Sequence, residues 1–275
     1  MSNHNAIGQR IYSLRKEQGY TQEQLSALLN ITPQAVSKWE SGNALPDITL
    51  LPILAQHLEV SIDCLLTGGN WKQSLSPYDR KYEKVDYYWG LQHSALAEQV
   101  VNYMTDTRTN KRLLDIGSGE GRDAIYFAQN GFLVEALEIS RPGAAKIMHY
   151  SKIVGCNVEV IQADMIGYEL SNTYDVIYSH GSLQFLPEGQ RQLHFDKYKR
   201  GTNIGGINAH MIFVEKPFIQ AAPDREKNEF FYLSGDLARY YYDWEILWCE
   251  EKIIECNSSG MPHQHAVNLI IAKKV

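Results

Sequence analysis

The sequence lacks several features that would place it in a familiar class. No apolar run approaches the roughly 18 residues that a membrane-spanning helix needs, and the polar start, residues 1–5, does not fit a signal peptide. The four cysteines form no CxxC pair, and their spacing matches no zinc site. We therefore expect a soluble, cytoplasmic protein with reduced, mostly buried thiols, no metal and no membrane partner.

Positive charge is also scarce. The formal net charge is −6 at pH 7, which argues against a protein that coats nucleic acid through a general basic surface. Hydrophobic residues make up 44% of the 275 residues and charged residues 21%, so the chain can bury a core. The length allows two domains of moderate size.

Two patterns of apolar residues divide the chain. Residues 6–66 contain short amphipathic helices in succession, and from about residue 111 short strands alternate with helices. The alternation predicts an α/β fold with a mostly parallel sheet and helices on both faces, preceded by a small all-α domain. The Thr67-Gly68-Gly69-Asn70 stretch predicts a linker, which favours domains at 1–69 and 70–275. The predicted strands are 112–116, 133–138, 158–162, 175–179, 206–214 and 266–272.

Apolar side chains mark the helical faces of the first region. The predicted core positions are Ile7, Ile11, Leu14, Leu25, Leu28, Leu29, Leu50, Leu51, Ile53, Leu54 and Leu58.

Capping signals define two of the short helices. Thr21 and Gln24 form a capping box, and Thr32 followed by Pro33 starts the next helix. Asn30 suits the left-handed conformation of the three-residue turn, 29–31, between them. This layout is that of a helix-turn-helix. The second helix carries Gln34, Ser37 and Lys38 near its N-terminus, and such residues read base edges or contact phosphates.

The first 68 residues resemble the lambda/434-repressor-like, or XRE-type, helix-turn-helix family. The motifs that carry the resemblance include Gly19-Tyr20-Thr21-Gln22-Glu23-Gln24-Leu25, Val36-Ser37-Lys38-Trp39-Glu40-Ser41-Gly42 and Leu45-Pro46-Asp47. The resemblance implies that Gln22, Gln34, Ser37 and Lys38 contact double-stranded DNA. It also implies an internal ion pair between Arg15 and Glu40 and a buried Trp39.

The first domain has few cations for phosphate contacts. Residues 1–69 carry four Lys or Arg and six Asp or Glu. A homodimer on a two-fold symmetric operator is therefore expected to supply the affinity that one copy lacks. The alternative is a domain kept for dimerisation or protein contact.

A glycine-rich turn follows the first strand of the second region. Leu113-Leu114-Asp115-Ile116 leads into Gly117-Ser118-Gly119-Glu120-Gly121, whose glycines let the backbone approach a ligand closely. The next strand ends at Glu138, about 20 residues on, where a carboxylate can accept hydrogen bonds from both ribose hydroxyls. Asp164 and Met165 follow the third strand, where they can contact an adenine.

This order of motifs resembles the class I S-adenosylmethionine (SAM) dependent methyltransferases and, more narrowly, the tellurite-resistance (TehB-type) methyltransferases. The segments that carry the narrower resemblance are His93-Ser94, Gly119-Glu120-Gly121-Arg122-Asp123, Tyr174-Asp175-Val176-Ile177, Gly235-Asp236-Leu237-Ala238-Arg239-Tyr240-Tyr241-Tyr242-Asp243-Trp244-Glu245 and His263-Gln264-His265. It implies a Rossmann-like fold that binds SAM through Asp115, Gly117, Ser118, Gly119, Glu138, Ile139, Asp164, Met165 and Ser179.

Histidines are the candidate catalytic residues. Methyl transfer is an in-line displacement driven mostly by positioning, and a base is needed only if the acceptor arrives protonated. His180, at the end of the fourth strand, is the first candidate, and His263 and His265 are the second; each is also interpretable as a packing or surface histidine. His263 and His265 lack a third ligand of convincing spacing, so no metal site is expected. The segment 82–89 is interpretable as a lid over SAM or as an interdomain contact.

The sequence favours a SAM-dependent methyltransferase for a small molecule, fused to a DNA-binding transcriptional-regulator domain. A metalloid oxyanion, a thiol and other small acceptors remain open. Two alternatives also remain: a regulator that senses SAM or a ligand without turnover, and a methyltransferase whose small domain only dimerises. The chain has no Asn/Asp-Pro-Pro-Tyr/Phe motif and no Pro-Cys nucleophile, which argues against DNA as the methyl acceptor.

Overall fold

The computed structural model describes residues 3–58, 60, 62–67, 76, 78–104, 109–223, 225–226, 228–257 and 260–275. The chain separates into two compact units, Met1–Pro77 and Tyr78–Val275. Most of the predicted linker, 68–70, lies outside the described residues, so the domain boundary at 69/70 stays a prediction. In the described part of the chain, no helix is both long and apolar enough to cross a membrane.

The first unit consists of short helices around one apolar core. The helices are α1 (Asn3–Glu17), α2 (Gln22–Leu28), α3 (Pro33–Glu40), α4 (Leu51–His57) and α5 (Ile62–Thr67), with a 3₁₀ turn at Ile48–Leu50. Leu28 and Ile53, predicted to be core residues, are 40% and 39% exposed. In α2 the buried face is occupied by Leu25 and Leu29, one turn apart, and Leu28 lies about 100° around the helix from Leu29.

Local hydrogen bonds set the ends of α2 and α3 as predicted. The Thr21 hydroxyl accepts from the Gln24 amide at 3.1 Å, and the Gln24 side chain accepts from the Thr21 amide at 2.8 Å. Asn30 has a φ of +54°, which turns the chain between the two helices. Thr32 caps α3, and Pro33 is its first residue. The helix-turn-helix geometry is therefore confirmed.

A buried ion pair joins α1 to α3. The Arg15 guanidinium donates to both oxygens of the Glu40 carboxylate, at 2.5 and 2.9 Å. Trp39 is only 5% exposed and belongs to the core. Both expectations for these residues are confirmed.

The second unit is built on a seven-stranded mixed sheet. Its strands are β1 (Arg112–Ile116), β2 (Leu133–Glu138), β3 (Val158–Gln162), β4 (Tyr174–His180), β5 (Thr202–Val214), β6 (Glu245–Cys256) and β7 (His263–Lys273). The order is β3-β2-β1-β4-β5-β7-β6, with β1 to β5 parallel and β7 antiparallel to both of its neighbours. The six predicted strands and the mostly parallel sheet are confirmed, and β6 is an addition.

Helices cover both faces of this sheet. They are α6 (Asp79–Tyr82), α7 (Ala95–Tyr103), α8 (Arg122–Gln129), α9 (Arg141–Val154), α10 (Glu188–Gly201) and α11 (Asp236–Tyr240). Buried side chains of α7, α8 and α9 pack into one core cluster, and those of α10 and α11 pack into the other. The strand order reverses between β1 and β4, and ligands of open α/β sheets bind at the carboxyl ends of strands at such a point.

Candidate functional site

The glycine turn after β1 occupies the point where the strand order reverses. Gly117 has a φ of +69°, and a Cβ there would lie 2.4 Å from the Cβ of Ser182, which follows β4. Gly121 has a φ of +89°, and its Cβ would lie 2.8 Å from the side chain of Ile147. Both positions therefore require glycine, because a side chain would meet strain and a clash together.

Glu138 lies against this turn at the end of β2. Its carboxylate is 5% exposed and accepts hydrogen bonds from the backbone amides of Gly119 and Ser140, both at 2.7 Å. Burial raises the pKa of Glu138 to about 7, although these two hydrogen bonds oppose the shift. The carboxylate is thus held against the glycine turn. Each of its oxygens accepts one backbone hydrogen bond and has a second lone pair that can accept another from a ligand.

Two further carboxylates lie beside the turn. Asp115 is 3% exposed, and burial together with the neighbouring charges of Asp123 and Glu138 raises its pKa well above the usual range. Asp123 accepts from the Ser94 amide and from the Tyr178 hydroxyl, each at 2.7 Å. Such a concentration of acidic groups favours a ligand that carries positive charge.

The segment 82–89 packs on the glycine turn. The Tyr82 hydroxyl accepts from Trp89 Nε1 at 3.0 Å and lies 3.0 Å from the position of a Cβ on Gly119. The Trp89 amide donates to Glu120, whose other oxygen is bound by Lys146 at 2.7 Å. Burial raises the pKa of the Tyr82 hydroxyl well above its usual range. The segment thus brings aromatic side chains to the turn.

Four other predicted cofactor residues follow β1, β2 and β3, at the carboxyl ends of these strands. The Ser118 hydroxyl donates to the backbone oxygen of Asp115 at 3.0 Å. Ile139 is half-buried directly after Glu138. Asp164 is exposed after β3 and accepts from the Ile166 amide at 2.9 Å, and Met165 is half-buried beside it. Their roles stay predictions.

The Ser179 side chain lies in the core, and its predicted role in cofactor binding stays a prediction. Its side chain is fully buried, and its hydroxyl pairs with Nδ1 of His210 at 2.8 Å. Side chains alternate along a strand, so the Ser179 side chain points to the face opposite that of His180. The hydroxyl is therefore committed to the core rather than to the cleft.

The environment of His180 determines which of its two ring nitrogens carries the proton. Its Nδ1 lies 3.2 Å from Nη2 of Arg122, and a guanidinium can only donate. The neutral ring therefore has its proton on Nε2. Burial lowers the pKa of His180 to about 4, so the ring is neutral at physiological pH. With Nδ1 occupied and Nε2 protonated, the ring is suited to donate a hydrogen bond rather than to accept a proton.

His263 and His265 lie at a different part of the sheet. They begin β7, which is separated from β4 by β5. Their Nε2 atoms are 2.9 Å apart, and the two rings are nearly perpendicular to each other. The expectation of no metal site stays a prediction, but Cys256 pairs with His263 across the β6–β7 ladder, so a third side chain of a metal-ligand type lies beside the two histidines. Strand register places it there, and sequence spacing alone does not reveal register.

The cysteines are less buried than predicted. Only Cys64 is buried; Cys156 and Cys256 are partly exposed and Cys249 is exposed.

The predicted DNA-contact residues lie on two helices. Gln34, Ser37 and Lys38 are exposed on α3. Gln22, at the start of α2, is half-buried, and its amide nitrogen donates to Glu40 at 2.7 Å. Glu40, which Arg15 holds in place, therefore orients the Gln22 side chain, whereas the three α3 side chains are exposed to solvent.

Sequence reasoning assigned no role to Arg122 or Asp123. Arg122 reaches His180, and Asp123 joins Ser94 to Tyr178. The available signal was their position directly after the third glycine, at the start of α8.

Each of the two units matches a known protein family. Residues 11–63 match the family described as helix-turn-helix, and residues 78–261 match the family described as tellurite resistance protein TehB. Hemagglutinin 1 of Eikenella corrodens is 24% identical over 195 residues, which are 70% of this chain and 64% of that protein. The SPbeta prophage-derived uncharacterized HTH-type transcriptional regulator YonR of Bacillus subtilis is 41% identical over 62 residues, 22% of this chain and 57% of that protein.

A third relative is known both by sequence and by structure. The probable SAM-dependent methyltransferase TehB of Haemophilus influenzae is 24% identical over 148 residues, 54% of this chain and 51% of that protein. A crystal structure of TehB from Haemophilus influenzae superposes with a TM-score of 0.58 at 21% identity, and it covers 72% of this chain and 66% of that chain. The chain thus spans about half to two thirds of the length of these curated relatives. Both predicted resemblances are confirmed, and because the match over residues 78–261 covers more than half of the chain, the protein belongs to the tellurite resistance protein TehB family.

Proposed function

We propose that the second unit binds SAM at the glycine turn and transfers its methyl group to a small molecule, and that the first unit binds DNA. The observation that carries the proposal is the placement of Glu138 against the Gly119 amide, at the mouth of a turn whose glycines are required by geometry. A carboxylate at this position accepts both hydroxyls of a ribose.

The charges around the turn fit SAM. The cofactor carries a sulfonium and an ammonium group, and the Asp123 and Glu138 carboxylates lie close enough to Asp115 to raise its pKa. A bound cation relieves the repulsion among these buried carboxylates. The rings of Tyr82 and Trp89 supply π faces, which attract a sulfonium as they attract other cations.

The reaction needs position more than it needs proton transfer. SAM supplies an electrophilic methyl group; the bond from its sulfur to the methyl carbon breaks as the acceptor's lone pair forms the new bond. Holding the two reactants in line accounts for up to about 7–11 kcal/mol of the barrier in ideal cases. The chain's part is to orient the acceptor and exclude water.

Arg122 and His180 are suited to orient the acceptor. The guanidinium is a fixed positive charge, and His180 presents an Nε2–H donor while its Nδ1 accepts from Arg122. Two donors side by side favour an acceptor that carries negative charge, such as an oxyanion or a thiolate. An acceptor that arrives ionised needs no base, which agrees with the low pKa of His180.

For the first unit we propose binding to a two-fold symmetric operator as a homodimer. Support comes from the helix-turn-helix geometry and from the exposed Gln34, Ser37 and Lys38 on α3. A recognition helix inserts such N-terminal residues into the major groove. The small number of cations in this unit makes the second copy necessary for affinity.

The experiment is a methyl-transfer assay with methyl-labelled SAM and a panel of acceptors that includes tellurite, selenite and small thiols. We expect S-adenosylhomocysteine to form only when one of these acceptors is present. Asp115→Asn, which replaces the carboxyl group with an amide that cannot ionise and has almost the same shape, should weaken both SAM binding and turnover. SAM binding without turnover on any acceptor would replace the enzyme by a ligand-sensing regulator, and absence of SAM binding would refute both.

A further inference from the structure

The β6–β7 hairpin brings a cysteine and two histidines onto one face of the sheet. His263 and His265 are two residues apart on β7, so their side chains project to the same side. Cys256 pairs directly with His263 in the antiparallel register. Side chains of directly opposed residues share a face with Cβ atoms about 4.5–5.5 Å apart, so the topology alone assembles the three groups.

The ligand-type atoms of these residues converge. Sγ of Cys256 and one ring nitrogen from each histidine all lie within 4.8 Å of one another. The two Nε2 atoms are 2.9 Å apart. This is the one such group of three among the residues that the structure describes.

A backbone carbonyl orients His263 for this contact. Nδ1 of His263 lies 2.8 Å from the Met261 oxygen, which can only accept, so Nδ1 carries the proton. The Nε2 lone pair of His263 therefore points toward His265. A metal-binding histidine commonly donates its second ring nitrogen to a carbonyl or carboxylate in this way, which fixes the tautomer and the ring orientation.

We propose that Cys256, His263 and His265 form a binding site for a divalent transition-metal cation, Zn²⁺ in particular. One thiolate and two imidazoles suit zinc and its neighbours, whereas magnesium and calcium prefer oxygen ligands. Three protein ligands leave a fourth tetrahedral position for water or another ligand.

The distances permit this coordination with a small movement. Zn–N bonds of about 2.0–2.1 Å and a Zn–S bond of about 2.3 Å put tetrahedral ligand atoms roughly 3.3–3.6 Å apart. The two Nε2 atoms, 2.9 Å apart, would separate slightly, and the sulfur already lies within 4.8 Å of a ring nitrogen of each histidine. The three residues are half-buried, so rotation of the side chains supplies this movement.

Neighbouring side chains restrict the movement of His265 and of the two strands. The His265 ring packs on the Phe213 ring with centroids 4.6 Å apart, and Phe213 extends from β5 on the same face. Between the histidines, Gln264 turns outward and bonds to Glu255 at 2.8 Å, which ties the two strands together. The three ligand residues include none that the proposed function uses to bind SAM or the acceptor, so this inference is tested independently of the proposed function.

The test uses the full-length protein, treated with a chelator and then titrated with Zn²⁺ by calorimetry and with Co²⁺ by absorption spectroscopy. Co²⁺ ligated by a thiolate gives a sulfur-to-metal charge-transfer band, which reports the cysteine directly. We expect one equivalent of either metal to bind and the band to appear. Cys256→Ser should abolish the band and weaken Zn²⁺ by at least about tenfold, because a lost ligand costs no less than a lost supporting contact.

Cys249→Ser is the matched control, because this exposed thiol lies on the same strand. It should bind both metals as the wild type does. His265→Gln provides a second variant if Cys256→Ser does not fold, as judged by circular dichroism. The absence of saturable binding in the wild type would overturn the proposal. So would a charge-transfer band that persists in Cys256→Ser or disappears in Cys249→Ser.

Discussion

Lowering the pH should weaken SAM binding through Glu138. Burial raises the pKa of this carboxyl to about 7 in the free protein. The ribose hydroxyls donate to the carboxylate, so the ionised form is the one that binds both of them. Below the pKa a proton must leave first, and the apparent affinity falls with the ionised fraction. That fraction drops from about nine tenths at pH 8 to about one tenth at pH 6, which predicts a roughly tenfold loss of affinity.

Substitutions of Glu138 measure how much its carboxyl group contributes to the free energy of SAM binding. A hydrogen bond to a charged acceptor contributes about 1.5–3 kcal/mol, and water that enters the space of the missing side chain partly replaces this contribution. Glu138→Ala should therefore weaken SAM by roughly 2–3 kcal/mol, or about 30- to 150-fold. Glu138→Gln keeps the shape of the side chain but has no group that ionises between pH 6 and pH 8. The SAM affinity of this variant should therefore not show this pH dependence.

Calorimetric titration of SAM between pH 6 and pH 8 measures both effects. The ionisations of SAM itself are the same for both proteins, so the difference between wild type and Glu138→Gln isolates the carboxyl. Equal pH dependence in the two proteins would refute the reasoning about the pKa. A loss below about threefold in a folded Glu138→Ala would show that Glu138 does not hold the ribose.

Three other substitutions test the remaining parts of the account. Gly117→Ala should abolish SAM binding and lower the melting temperature by at least about 4 °C, because the φ of +69° and the contact with Ser182 together cost about 2 kcal/mol or more. His180→Ala should reduce turnover at least tenfold with little change in SAM affinity, since the ring faces the acceptor in our proposal. Gln34→Ala combined with Lys38→Ala should abolish sequence-specific DNA binding, measured by fluorescence anisotropy, and leave SAM binding intact.

Each of these three substitutions is paired with a control substitution in the same protein. Gly167→Ala should change neither melting temperature nor SAM affinity, because nothing lies within 4 Å of a Cβ there. His180→Gln retains an N–H donor and should keep more activity than His180→Ala, whereas equal loss would contradict the donor role. Gln56→Ala alters an exposed residue of α4 and should leave DNA binding unchanged. A double α3 variant that still protects the same DNA sequence would remove α3 as the recognition helix.

Local signals in the sequence predicted most of the fold. The capping pairs at Thr21 and Thr32 depend on neighbours three residues away, and the structure contains both. The central strands are buried on both faces, and adjacent apolar residues such as Leu113 and Leu114 mark them in spite of the charged residues that they also contain. β6 lies at the edge of the sheet, and charged residues at 250–252 interrupt its apolar residues, so its sequence shows neither one continuous apolar run nor a regular alternation.

Long-range contacts at the site could not be predicted in this way. Arg122 and His180 are 58 residues apart and meet only because α8 and β4 flank the same turn. The pairing of Cys256 with His263 depends on the register of the hairpin. Ser179 was assigned to the cleft from its place at a strand end, yet the alternation of the strand turns its hydroxyl to His210. The residue types were visible in the sequence, and the orientation of their side chains was not.

A crystal structure of the protein with S-adenosylhomocysteine tests the central claim most directly. The account predicts that the nucleoside lies at the Gly117–Gly121 turn, with both ribose hydroxyls within hydrogen-bond distance of the Glu138 carboxylate. It also predicts that the sulfur lies on the side of the cleft where Arg122 and His180 meet. A nucleoside bound elsewhere, or ribose hydroxyls without contact to Glu138, would contradict it.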